Sequence, residues 1–158
     1  MNYSRIITYD VCNGLGWRVT LYVSGCARHC KGCFNTCTHD PTAGTKFTNK
    51  TKELIFKELE KPEIDGLTLL GGEPLSYLSD NRKTVIEFCK EVKERFPDKN
   101  IWCYSGYLLE EIQKDDTMKD ILKYVDVLVD GPFIESLKDH NLEFRGSSNQ
   151  RIIQVKDL

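Results

Sequence analysis

The sequence predicts an α/β fold: an incomplete (β/α) barrel, in which a curved, mostly parallel sheet carries helices on its outer face. Three observations lead there. Short β-branched and apolar runs alternate with amphipathic helical stretches, an order that implies a parallel sheet with crossover helices. The chain has 158 residues, against about 250 for a complete eight-stranded barrel. Finally, four loops with chemical character each follow a predicted strand, at the carboxyl end where α/β sheets bind ligands.

Residues 1–16 are mixed and end in Asn13-Gly14-Leu15-Gly16, a turn signal. Residues 17–23 are β-branched and aromatic and predict a strand that delivers the chain into a cysteine-rich loop at Gly25. Residues 38–48, with Pro41, Gly44 and several threonines, read as an irregular surface connection. A helix is expected over 49–61, with Leu54, Ile55 and Leu59 as its apolar stripe and Thr48 or Asn49 as its cap.

Gly66 opens an apolar run over 67–70 that suits a buried parallel strand, and this run stops at Gly71-Gly72-Glu73-Pro74. The helix over 80–96 has the plainest pattern, with Val85, Phe88, Cys89, Val92 and Phe96 at helical spacing and Pro97 just beyond. A strand over 100–104 ends at Ser105-Gly106. Helices over 108–114 and 118–124 precede a strand over 125–129, which ends at Asp130-Gly131-Pro132. Residues 133–149 are polar and carry no clear pattern, and 151–155 predict a last strand. Without repeats or a long linker, residues 1–158 read as a single domain.

Composition sets bounds on function. Net charge is -2, which predicts no nucleic-acid patch and no affinity for anionic membranes. No apolar run approaches the roughly 20 residues of a membrane helix, and the first residues lack a signal-peptide pattern; a cytoplasmic setting is expected. Seven cysteines fit that compartment as thiols or ligands, and an odd count argues against a complete disulfide framework. Cys89 and Cys103 fall in helix and strand patterns and are expected to be core thiols. His39 and His140 lie in polar loops and are expected to be exposed, as is His29, unless it tunes a metal centre.

The chemistry concentrates in Cys26, Cys30 and Cys33, spaced C-x3-C-x2-C within eight residues. Thiolates so close together suit one soft metal centre, iron–sulfur or zinc. Three thiolates on a four-iron cluster leave one iron open to a substrate. Cys37 extends the pattern to four, which fits a closed zinc or cluster site instead; spacing alone leaves both open. Gly71 and Gly72 let backbone approach a ligand closely, and Glu73 puts a carboxylate at the mouth of the sheet, where it can pair with an ammonium group. An ordinary strand-to-helix turn would carry the same residues.

The cysteine loop followed one βα unit later by Gly-Gly-Glu-Pro resembles the radical S-adenosylmethionine enzymes. The resemblance extends through Asn13–Arg18 and Tyr104–Tyr107, and the runs Asp126–Phe133 and Arg145–Arg151 narrow it to the small activases of glycyl-radical enzymes, those serving anaerobic ribonucleoside-triphosphate reductase. Leu15 stands where that family often has proline, which should stiffen the turn less. The resemblance implies a [4Fe-4S] cluster held by Cys26, Cys30 and Cys33 and an S-adenosyl-L-methionine bound at the open iron. It implies that Glu73, with backbone of Gly71 and Gly72, takes the methionine ammonium, that Gly32 and Phe34 contact the adenosine end, and that Ser105 and Asp130 complete the pocket.

The activity implied is reductive cleavage of S-adenosylmethionine to a 5′-deoxyadenosyl radical, which generates a glycyl radical on the reductase. A low-potential electron donor such as flavodoxin is implied with it. Two alternatives stand: activation of another glycyl-radical enzyme, and a non-catalytic zinc or electron-transfer module using Cys26, Cys30, Cys33 and Cys37. Arg145 and Ser147–Gln150 are consistent with either ligand contact or a shaped turn.

Overall fold

A computed structural model describes residues 1–158. Seven strands form one open sheet. In chain order they are β1 (Asn2–Asp10), β2 (Arg18–Val23), β3 (Thr45–Lys46), β4 (Gly66–Gly71), β5 (Asn100–Ser105), β6 (Val127–Asp130) and β7 (Arg151–Gln154). Their order across the sheet is β3-β1-β2-β4-β5-β6-β7. The four central strands, β2, β4, β5 and β6, are parallel, while β1, β3 and β7 pair antiparallel at the two sides. The sheet is therefore mixed but mostly parallel and does not close, as expected of a partial barrel.

Helices α1 (Asn49–Leu59), α2 (Asn81–Arg95) and α3 (Leu109–Lys114) lie in the connections between the parallel strands. The 118–124 segment is a 3-10 turn over Lys119–Lys123 rather than an α-helix. Two expectations in the first third are corrected. Residues 2–10 are a nine-residue strand, and 45–46 pair with its start. The 2–10 strand has no clean two-residue alternation because its register shifts twice against β2.

Period two divides the strand residues between two faces. Val19, Leu21, Leu67, Leu69, Ile101, Cys103 and Leu128 pack against the helices in the main core. Their helical partners include Ile55, Phe56 and Leu59 of α1 and Val85, Phe88 and Val92 of α2. Leu54 is not part of the α1 stripe; it is exposed, and Phe56 takes the inward place. Cys89 and Cys103 are fully buried, and burial pushes both thiols up. The α1 cap is at Thr48, whose backbone N–H donates to Thr51 Oγ1 at 3.1 Å. The other sheet face presents Thr20, Tyr22, Thr68, Leu70, Trp102 and Tyr104, and this is the side on which a cavity opens.

Candidate functional site

Gly25, at φ +109°, turns the chain out of β2 into the cysteine loop. Backbone bonds fix the loop's start: Gly25 N–H donates to Thr38 O at 2.7 Å and Cys26 N–H to His39 O at 3.0 Å. Cys33 N–H donates to Cys30 O at 3.1 Å, and Asn35 N–H to Cys33 Sγ at 3.4 Å. The loop is also tied to the turn after β4. Gly72 N–H donates to Val23 O and Glu73 N–H to Gly25 O, both at 2.9 Å, and the Asn35 amide reaches Gly71 O at 3.3 Å.

Glycine is required at both positions of that turn. Gly71 has φ +124°, and a Cβ there would lie 2.4 Å from Val23 O. A Cβ on Gly72 would lie 2.7 Å from Thr38 O and 2.8 Å from Gly25 O. The two loops pass too closely for any side chain.

Together they wall a cavity of about 520 Å³, within the range of small-molecule sites. Cys26, Cys30, Cys33, Phe34, Gly71, Gly72, Glu73 and Ser105 all line it. No three His, Cys, Asp or Glu side chains are grouped so as to hold a single metal ion; the three thiols line one cavity. Burial raises the Cys26 thiol.

Glu73 is 3% exposed. Its Oε1 accepts from Leu75 N–H at 3.0 Å and from Ser105 Oγ at 2.9 Å, and its Oε2 accepts from Gly106 N–H at 2.7 Å. Burial raises its pKa, and those three donors, with the Arg28 charge, oppose the rise. Ser105 is thus a support for Glu73, held in turn by Tyr107 N–H at 3.1 Å. Ser105→Ala is expected to cost about 1–3 kcal/mol, the penalty for leaving a buried acceptor short of a donor, read from urea unfolding.

Two expected contacts fall elsewhere. Asp130 is fully buried and does not line the cavity. Its carboxylate is occupied by Leu109 N–H at 2.7 Å and by the Arg151 guanidinium, with Nε at 2.9 Å, so it ties β6 to α3 and β7. Gly32, at φ +73°, is exposed and faces the Glu135 side chain outside the cavity. Cys37 is exposed on a 3-10 turn over Thr36–Thr38 and is not part of the lining. His29 is exposed and edge-on to His39, with ring centroids 4.3 Å apart; His39 is half-buried rather than exposed.

Several lining residues had no strong signal in the sequence. Cys12 and Asn13 enter from the turn before β2, and Tyr22 and Tyr104 from the sheet. Residues 138–146 fold over the sheet as a strap and supply Lys138, His140, Phe144 and Arg145. The Ser147–Gln150 run shapes the strap's return. Asn149 and Gln150 side chains donate to Pro132 O at 2.8 Å and Gly131 O at 3.0 Å, while Gln150 Oε1 accepts from Gly146 N–H at 2.9 Å. Phe144 packs on Trp102 at 5.3 Å, and Phe34 on Phe133 at 5.0 Å.

Residues 12–153 match the family described as a 4Fe-4S single cluster domain. A protein of Vibrio cholerae is 43% identical over 154 residues, covering 96% of this chain and 97% of its own. One of Enterobacteria phage T4 is 43% identical over 152 residues, covering 96% and 93%. One of Escherichia coli is 37% identical over 158 residues, covering 99% and 100%. All three carry the name anaerobic ribonucleoside-triphosphate reductase-activating protein. With identity at this level along nearly the full length of each relative, the chain belongs to the family of anaerobic ribonucleoside-triphosphate reductase-activating proteins.

Proposed function

We propose that this chain is a radical S-adenosylmethionine activase that generates a glycyl radical on an anaerobic ribonucleoside-triphosphate reductase. The observation that carries the reading is the convergence of Cys26, Cys30, Cys33 and Glu73 on one cavity at the carboxyl ends of β2 and β4. The donor set fits a [4Fe-4S] cluster. Three cysteines lining one cavity offer one thiolate to each of three irons, whereas a closed zinc site takes four protein ligands. When bound, the reduced cluster supplies the electron that cleaves S-adenosylmethionine to methionine and a 5′-deoxyadenosyl radical.

The protein's contribution is to hold and to exclude. Cys26, Cys30 and Cys33 would hold the cluster. The Glu73 carboxylate, fixed by three donors before any ligand arrives, takes the methionine ammonium, and Ser105 keeps it aimed. Phe34, at the rim against Phe133, offers an apolar surface to the adenosine end. The 138–146 strap lines the cavity beside the sheet face, a position from which it would limit access of water and oxygen. No general base is required of this set. Cytoplasmic operation, a low-potential donor such as flavodoxin, and one functional domain over 1–158 belong to the same proposal.

The test is anaerobic reconstitution with iron and sulfide, reduction, and addition of S-adenosylmethionine. The expected product is 5′-deoxyadenosine, followed by a glycyl-radical electron paramagnetic resonance signal when an anaerobic ribonucleoside-triphosphate reductase is added. A fully loaded cluster that yields no 5′-deoxyadenosine with the reductase present would refute the assignment.

A further inference from the structure

Arg28 lies in the cysteine loop between two of the thiols and lines the cavity. The guanidinium sits on the Tyr107 ring, 4.4 Å from its centroid. Its nearest carboxylate oxygen is Glu111 Oε2 at 3.9 Å, too long for a hydrogen bond. Its Nε is buried and has no partner. A guanidinium carries five N–H donors in a fixed fork, and a buried donor left unused calls for an explanation. The group is held in place by shape instead. A Cβ on Gly106 would lie 2.5 Å from Arg28 Cδ and 2.6 Å from Nε, so this arrangement depends on a glycine there. The same Gly106 donates its N–H to Glu73 Oε2 at 2.7 Å. A preorganised carboxylate and an unspent guanidinium therefore flank one glycine on the wall of one cavity.

That juxtaposition matches a zwitterion. An α-amino-acid headgroup offers an ammonium to Glu73 and a carboxylate to a planar fork. A carboxylate has two oxygens, so one can face Arg28 whatever the other binds. We propose that Arg28 binds the carboxylate of the S-adenosylmethionine headgroup while Glu73 binds its ammonium, and that this pair sets specificity for an amino-acid-bearing sulfonium. The inference rests on the activase reading and deepens it.

The experiment compares two ligands on the reconstituted holoenzyme by anaerobic titration calorimetry: S-adenosylmethionine and its decarboxylated analogue. Arg28→Gln should weaken S-adenosylmethionine about tenfold, the size of one charge-assisted hydrogen bond, and leave the analogue's affinity unchanged. Arg28→Lys, which keeps the charge without the fork, should recover part of the loss. Iron content and circular dichroism identify any variant that has lost its fold, and the lysine variant then carries the comparison. Equal weakening of both ligands would reduce Arg28 to a support for Glu73 and overturn the clamp. Wild-type enzyme that bound neither ligand would overturn the activase reading and the clamp with it, whereas binding of both with no change in their ratio on substitution removes the clamp alone.

Discussion

Replacing Cys33 by alanine should abolish cluster assembly and 5′-deoxyadenosine formation, whereas Cys37→Ser should leave both at wild-type levels. The two cysteines are four residues apart, and spacing alone makes them equivalent. The fold separates them. Cys33 lines the cavity, its backbone N–H is bonded to Cys30 O, and its Sγ accepts from Asn35 N–H. Such bonds to sulfur orient a ligand and tune the centre it holds. Cys37 is carried past the cavity by the 3-10 turn over Thr36–Thr38 and is exposed. Thr38 O is committed to Gly25 N–H, and Thr38 Oγ1 donates to Asn35 O at 2.6 Å, so the turn cannot swing inward without breaking the loop's anchor. Iron and sulfide per chain, measured beside 5′-deoxyadenosine yield, decide the matter. Loss of iron in Cys37→Ser would restore the four-cysteine module. Cys12→Ser is expected to behave like Cys37→Ser: its thiol reaches the lining from a different segment, outside the C-x3-C-x2-C loop.

Local rules worked where chain pattern and burial agree. The strands at 66–71 and 100–105 and the helix at 81–95 were legible because one face or both must be apolar to bury. The cysteine loop and the Gly-Gly-Glu-Pro turn were legible because their chemistry is local. Contacts made across the fold were not. Asp130 stands at a strand's carboxyl end, as a site residue should, yet Arg151 arrives from the antiparallel neighbour and claims it. Arg28 reads as one more polar residue in a loop until Gly106 and Tyr107 are placed beside it. The 138–146 strap has no periodicity to find, since its order comes from side chains such as Asn149 and Gln150 bonding to backbone at its base. A strand like β1, interrupted by register shifts, hides its alternation in the same way.

Arg18→Met should lower the free energy of unfolding by about 3 kcal/mol or more, the largest stability loss expected from a polar position in this chain. Arg18 is fully buried. Burial lowers its pKa to about 10, which leaves it charged at neutral pH, and the nearby Asp65 and Asp10 counter the effect. Its Nε donates to Thr68 Oγ1 at 2.6 Å, NH1 to Leu15 O at 3.0 Å, and NH2 to Leu67 O at 2.7 Å and Asn100 O at 3.3 Å. Methionine would fill much of the volume and remove the desolvation cost of the charge, an exchange that can be favourable when a whole ion pair is replaced. Here only one partner leaves. Four oxygens lose donors at about 1–3 kcal/mol for each that stays dry, which outweighs the recovered desolvation. The loss also reaches the cavity. Arg18 stacks on Trp102 at 5.5 Å, Trp102 supports Phe144 of the strap, and Gly14 packs against the Arg18 side chain in the turn that presents Cys12 and Asn13. Urea unfolding followed by circular dichroism, with an unchanged m-value, is the measurement. A loss below about 1 kcal/mol would mean that water satisfies those oxygens and that the packing around Arg18 is more open than its burial implies.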